Sequence, residues 1–167
     1  MPGGFRVVFF GTPRFGVPTV DALLASRHRL VGAVTQPDRP RGRGQKTSDS
    51  PVKARAIEAG LPVLQPATLS DPAFTSALEE LRADIGVVAA YGKIIPEAVI
   101  NTPRLGMINV HTSLLPRHRG AAPVHRAVMA GDRETGVTIM RVVKALDAGP
   151  MLAVARRPIG DHETSEE

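Results

Sequence analysis

Along this chain, short β-rich runs alternate with helical ones, and few architectures accept that order. RVVFF, LVGAVTQ, LPVL, IGVVAAY, MINVH and VTIMRVV are rich in β-branched and aromatic residues and read as strands. Between them VPTVDALLAS, SPVKARAIEAG, PAFTSALEELRA, PEAVIN and APVHRAVMAG carry helical spacing. Pro18, Pro51, Pro72, Pro96 and Pro123 stand where a first helical turn accepts proline, because the missing N–H would have no partner inside the helix there. Gly60 and Gly131 stand where a helix can end on a left-handed residue. Strand, helix, strand repeated this often predicts an α/β, Rossmann-like fold: a largely parallel sheet with helices on both faces. No internal repeat or linker-like composition divides the chain, so residues 1–167 read as one domain. With 43% hydrophobic residues in 167, a chain of this size can bury roughly 70% of its unfolded surface.

Composition narrows the function classes. Without cysteine there is no disulfide framework, thiolate metal site or cysteine nucleophile, which fits a reducing compartment; a cytoplasmic location is expected. The N-terminal FRVVFFG is too short for a signal-peptide core, and no apolar run approaches the roughly 20 residues of a membrane span. The net charge of +5 favours an anionic partner. Gln36 to Ser50, QPDRPRGRGQKTSDS, has no large apolar residue and is expected to be an exposed, mobile loop. Within it Arg39, Arg41, Arg43 and Lys46 form a basic cluster with no acid between them, suited either to a phosphate backbone or simply to solvent. No aromatic is interleaved, so base stacking is not expected there.

Two phosphate-binding motifs fail on inspection. FFGTP follows the first strand, but G-x-G-x-x-G is absent and only Gly11 and Gly16 are available, which argues against NAD. In GRGQKTS, Gln45 separates Gly44 from Lys46 where a P-loop needs Gly-Lys adjacent. A metal is not expected either: His111, His118 and His125 are seven residues apart and lack the i, i+4 pair of a zinc protease. NVH offers more. Period-two alternation puts Asn109 and His111 on one face of a strand, with Ile108 and Val110 on the other. Ligands of open α/β sheets bind at the carboxyl ends of strands, where these two polar groups stand, although a lone histidine also serves structure. Asp147, in KALDAGPM, falls in a Gly-Pro-rich bend after VTIMRVV and could orient His111 if the fold brings them together.

NVHTSLLPRHRGAAP together with GVTIMRVVKALDAGPML resembles the catalytic domain of folate-dependent formyltransferases. FFGTP, TQPDRPRGRGQK, SPVK and YGKIIP narrow the resemblance to the members that formylate methionyl-tRNA, and it covers almost the whole chain. It implies 10-formyltetrahydrofolate as co-substrate, initiator methionyl-tRNA as acceptor, no metal, and a monomer. It also implies Asn109, His111 and Asp147 as the catalytic trio. Ser113, Leu114, Leu115 and Pro116 would line the folate site, with the segment containing Ala90, Tyr91, Gly92 and Ile95 cradling the pterin through its backbone. The loop carrying Arg39, Arg41, Arg43 and Lys46 would enter the acceptor end of the tRNA. Against that family the chain reads as an N-terminal catalytic domain that stops early, without the C-terminal β-barrel with which full-length members grip tRNA. Lys144-Ala145, before Leu-Asp, stands where the family usually has glycine and leans toward sugar-nucleotide formyltransferases. That acceptor, hydrolysis of formyltetrahydrofolate, and a non-catalytic tRNA-binding module on the same fold remain the alternatives.

Overall fold

The computed structural model describes residues 3–38, 40–41 and 46–165. It divides into two compact units, Met1–Met107 and Ile108–Glu167. The boundary falls inside a strand, where no proline, glycine or polar run marks it.

In the first unit the chain runs β1 (Arg6–Phe10), a 3-10 turn at Arg14–Gly16, α1 (Val17–Leu24) and β2 (Arg29–Val34). It continues through β3 (Pro40–Arg41), β4 (Lys46–Thr47), α2 (Pro51–Glu58), β5 (Val63–Leu64), α3 (Pro72–Glu80), β6 (Ile85–Val88) and α4 (Glu97–Ile100). β5, β2, β1 and β6 lie side by side in that order, and every pairing is parallel. The register sets Phe9 opposite Ala33 and Val8 opposite Gly32. On the Phe9 face, the phenyl ring and Val52 of α2 close around Gly16 at the head of α1. On the Val8 face, Leu81, just past α3, packs on Gly32. Helices therefore cover both faces, which is why β1 carries apolar residues with no polar alternation and Val8, Phe9 and Phe10 have no exposed surface. This is the expected Rossmann-like α/β arrangement.

The helix starts follow the punctuation in the sequence. Pro18, Pro51, Pro72 and Pro123 occupy first turns, whereas Pro96 is the residue before α4. The Ser50 hydroxyl accepts from Lys53 N–H at 3.2 Å, and the Asp71 carboxylate accepts from Ala73 N–H at 2.9 Å, each satisfying a donor the helix itself cannot. Gly60 and Gly131 end α2 and α5 (Pro123–Met129) with φ of +68° and +67°, the left-handed geometry their positions demanded.

The second unit supplies the antiparallel strands that an expectation of a largely parallel sheet leaves room for. β7 (Met107–His111), β8 (Glu134–Arg141) and β9 (Met151–Pro158) follow one another as neighbours, with His111 opposite Thr138 and Val137 opposite Ala155. β9 was not expected from the sequence. All eight of its residues are exposed, so it shows no buried face to betray itself.

Within the expected loop from Gln36 to Ser50, Pro40–Arg41 pairs antiparallel with Lys46–Thr47. Arg39 and Arg43 lie outside the described residues.

Candidate active site

His111 ends β7 with 5% of its surface exposed. Its ring Nδ1 lies 3.7 Å from Oδ2 of Asp147, within ion-pair range and longer than a hydrogen bond. Its Nε2 is 3.2 Å from the carbonyl oxygen of His118. A carbonyl only accepts, so this contact requires a proton on Nε2. The Asp147 side chain is itself buried, 8% exposed, and the same Oδ2 accepts from Gly120 N–H at 2.8 Å. The carboxylate thus spans from the segment after β7 to the imidazole. Asp147 adopts a left-handed backbone, φ +46°, which aspartate tolerates better than most residues.

Asn109 lies on the His111 face of β7, opposite Met140, as alternation predicted. It is half-buried, and among the described residues its carboxamide has no hydrogen-bond partner. A donor amide and an imidazole of fixed orientation therefore stand on one face, two residues apart.

The turn after β7 is held by the side chains of Ser113, which the resemblance assigned to the folate site, and Thr138. Ser113 is fully buried, and its hydroxyl donates to the Arg117 carbonyl at 2.7 Å. Thr138 of β8 donates its hydroxyl to the Ser113 carbonyl at 2.7 Å and accepts from Leu115 N–H at 3.2 Å. Leu114 packs toward Gly136 of β8, and Pro116 is exposed. One further residue went unnoticed in the sequence. Asp132 takes a hydrogen bond from the His118 ring at 2.7 Å and pairs with Arg117. These bonds, the one from His118 foremost, outweigh burial and hold its carboxyl below the usual 3.8. Only the seven-residue spacing of three histidines had drawn attention to His118, and that pattern has no bearing on its contact with Asp132.

In the first unit, the segment after β6 turns at Ala90 and Gly92, with φ of +50° and +81°. Its middle is anchored: the Tyr91 carbonyl accepts from Gln36 Nε2 at 2.7 Å and from the Thr12 hydroxyl at 3.4 Å. These two partners come from TQPD and FFGTP, which explains why those turns carry polar residues. Tyr91 points into the core, edge-on to Phe10, and burial pushes its hydroxyl up to about 12. Tyr91 and Ile95 are buried while Ala90 and Gly92 are exposed, so Ala90 and Gly92 are the segment's outward-facing backbone.

Residues 5–167 match the family model described as formyl transferase. This chain belongs to the formyl transferase family. It is 57% identical to the methionyl-tRNA formyltransferase of Methylococcus capsulatus over 160 residues, covering 96% of this chain and 52% of that protein. The enzyme of the same name from Ectopseudomonas mendocina is 54% identical, covering 98% of this chain and 52% of that protein. The chain thus spans about half the length of the curated relatives it matches. Among solved structures, phosphoribosylglycinamide formyltransferase from Bacillus halodurans superposes with a TM-score of 0.80 at 22% identity, over 96% of this chain and 84% of that one. A formyltetrahydrofolate deformylase from Pseudomonas syringae pv. tomato gives 0.76 at 22% identity, over 98% and 54%. At that identity the likeness speaks for the formyl transferase fold, and it extends over both units.

Proposed function

We propose that this chain is the catalytic part of an enzyme that moves a formyl group from 10-formyltetrahydrofolate to the amine of methionyl-initiator-tRNA, in the cytoplasm, at the start of translation. The observation that carries the reading is the His111–Asp147 approach of 3.7 Å with Asn109 on the same strand face. The acceptor is argued from the relatives that share more than half of its residues and act, by name, on methionyl-tRNA.

The attacking amine is already a fair nucleophile, since an α-amino group has a pKa of about 7.7–8. The larger demand is the negative charge that grows on the formyl oxygen as nitrogen bonds to carbon. Asn109, with its carboxamide unengaged, donates to that oxygen. His111 relays the proton that the amine sheds to the departing folate nitrogen, as the tetrahedral intermediate collapses and the bond between that nitrogen and the formyl carbon breaks, and Asp147 orients its ring. The folate co-substrate supplies the activated formyl group. Asn109 suits it as an amide donor, and the outward-facing backbone at Ala90 and Gly92 suits the polar edge of a pterin. Leu114, Leu115 and Pro116 offer the folate apolar contact. In this proposal Ser113 holds the turn rather than the ligand, because its hydroxyl is committed to Arg117. The basic loop with Arg39, Arg41, Arg43 and Lys46 meets the tRNA backbone.

The test incubates the complete protein with 10-formyltetrahydrofolate and charged initiator tRNA and scores formylated methionine. Transfer to that amine is the expected result. Turnover only with water, or only with a sugar nucleotide amine, overturns the acceptor while leaving the family chemistry in place.

A further inference from the structure

Asp132 holds two consecutive residues by their side chains, Arg117 and His118. The backbone carbonyls of those same residues each accept a hydrogen bond from the site: Arg117 from the Ser113 hydroxyl at 2.7 Å, His118 from His111 Nε2 at 3.2 Å. His118 reaches both partners at once by adopting a left-handed backbone, φ +54°, which turns its carbonyl toward His111 while its ring meets Asp132. A carboxylate with its side chain only 10% exposed and two donors is an expensive way to tie down a surface turn. Its cost is understandable if the turn sets the direction of a reacting group.

We propose that Asp132 and His118 are a positioning pair for His111, clamping the segment that follows β7 so that the His118 carbonyl fixes the imidazole with Nε2 bonded and Nδ1 toward Asp147. Neither residue touches substrate in this role. The pair acts on the histidine through the His118 carbonyl oxygen, and so on the orientation of its ring. The inference rests on the catalytic reading of His111 for its kinetic arm only.

Asp132→Ala, His118→Phe and His118→Gln are made in the complete protein, with Glu134→Gln, which breaks the exposed Arg156 pair on β8 and β9, as control. Misplacing a reacting group by about an ångström costs on the order of 10²-fold. The expected result is that Asp132→Ala and His118→Phe lose roughly 10- to 10²-fold in kcat with KM for both substrates little changed and with an altered pH–rate profile. Glutamine at 118 can still donate to Asp132, so His118→Gln recovers most of kcat. Glu134→Gln stays at the parent rate. In parallel, 15N spectra of the histidine rings report the tautomer of His111 without any turnover. The signal of a bonded Nε2–H is expected in the parent and in His118→Gln, and is lost in Asp132→Ala. Folded Asp132→Ala and His118→Phe proteins with lower melting temperatures but unchanged kcat, pH profile and His111 ring signals would show a merely structural pair and end the proposal. If the parent shows no formyl transfer, the function reading fails, and the ring spectra still decide the positioning.

Discussion

Asp147 illustrates how one residue joins chemistry to backbone geometry. Its left-handed φ means that alanine there costs about 1–2 kcal/mol of backbone strain in addition to the missing carboxylate, whereas asparagine keeps the conformation. Asp147→Asn is therefore the clean test of its charge, expected to melt like the parent and to transfer formyl poorly. Asn109→Ala is expected to lose roughly 10²–10³-fold in kcat, and His111→Ala roughly 10²–10⁴-fold, in single-turnover assays on protein of unchanged circular dichroism. Near-parent turnover by His111→Ala would remove the histidine from the mechanism. Asp132 carries a separate expectation. Because its carboxyl is held below 3.8 in the folded chain, the stability it contributes is complete above that value and is lost as pH falls through the lower folded one. Urea midpoints measured from neutral to strongly acid pH are expected to fall less for Asp132→Asn than for the parent. Equal slopes would deny the pairing its energy. Of these residues, Asn109 and His111 were legible from alternation along one strand. Asp132 was not, because its partners lie across a turn and a helix, where no period relates them.

At the scale of the element, the punctuation read from the sequence held at the helix starts, since proline and the capping side chains act within a single turn. Ser50→Ala and Asp71→Ala are each expected to cost about 1 kcal/mol in urea unfolding. The Ser50 change also tests the neighbouring ion pairs, because Lys53 bridges Asp38 and Asp49 on the same turn. A destabilisation well above 1 kcal/mol would mean that the cap and the bridge form as a unit. β9 escaped notice for the opposite reason. Strands announce themselves by one apolar face against a core, and MLAVARRP is exposed on all eight positions, held by backbone pairing to β8.

At the scale of the molecule, the first unit rests on a parallel sheet covered on both faces, with Phe9 at its centre. Phe9→Ala is expected to cost about 3–5 kcal/mol in urea unfolding, because the ring fills the space between the sheet and the head of α1. A cost near 1 kcal/mol would mean that the surrounding helices collapse into the cavity. The net charge of +5 belongs to this scale too. Replacing Arg41 and Arg43 with glutamine is expected to weaken use of tRNA and to flatten the salt dependence of its KM, by about one unit of log–log slope for each phosphate no longer neutralised. An unchanged slope would make the loop a solvated one.

Local order along the chain was enough to read β1, β2, β5, β6 and the helices of the first unit, the residues that start and stop its helices, and the shared face of Asn109 and His111. Each of these depends on neighbours within a few residues, where side-chain period and backbone sterics act directly. Tertiary structure alone decided that β8 and β9 turn antiparallel, that Asp147 reaches His111 from a distant bend, and that Ser113, Thr138 and Asp132 hold the turn between them. Those interactions join residues far apart in sequence, and their formation is set by the path of the whole chain, to which no local pattern is sensitive.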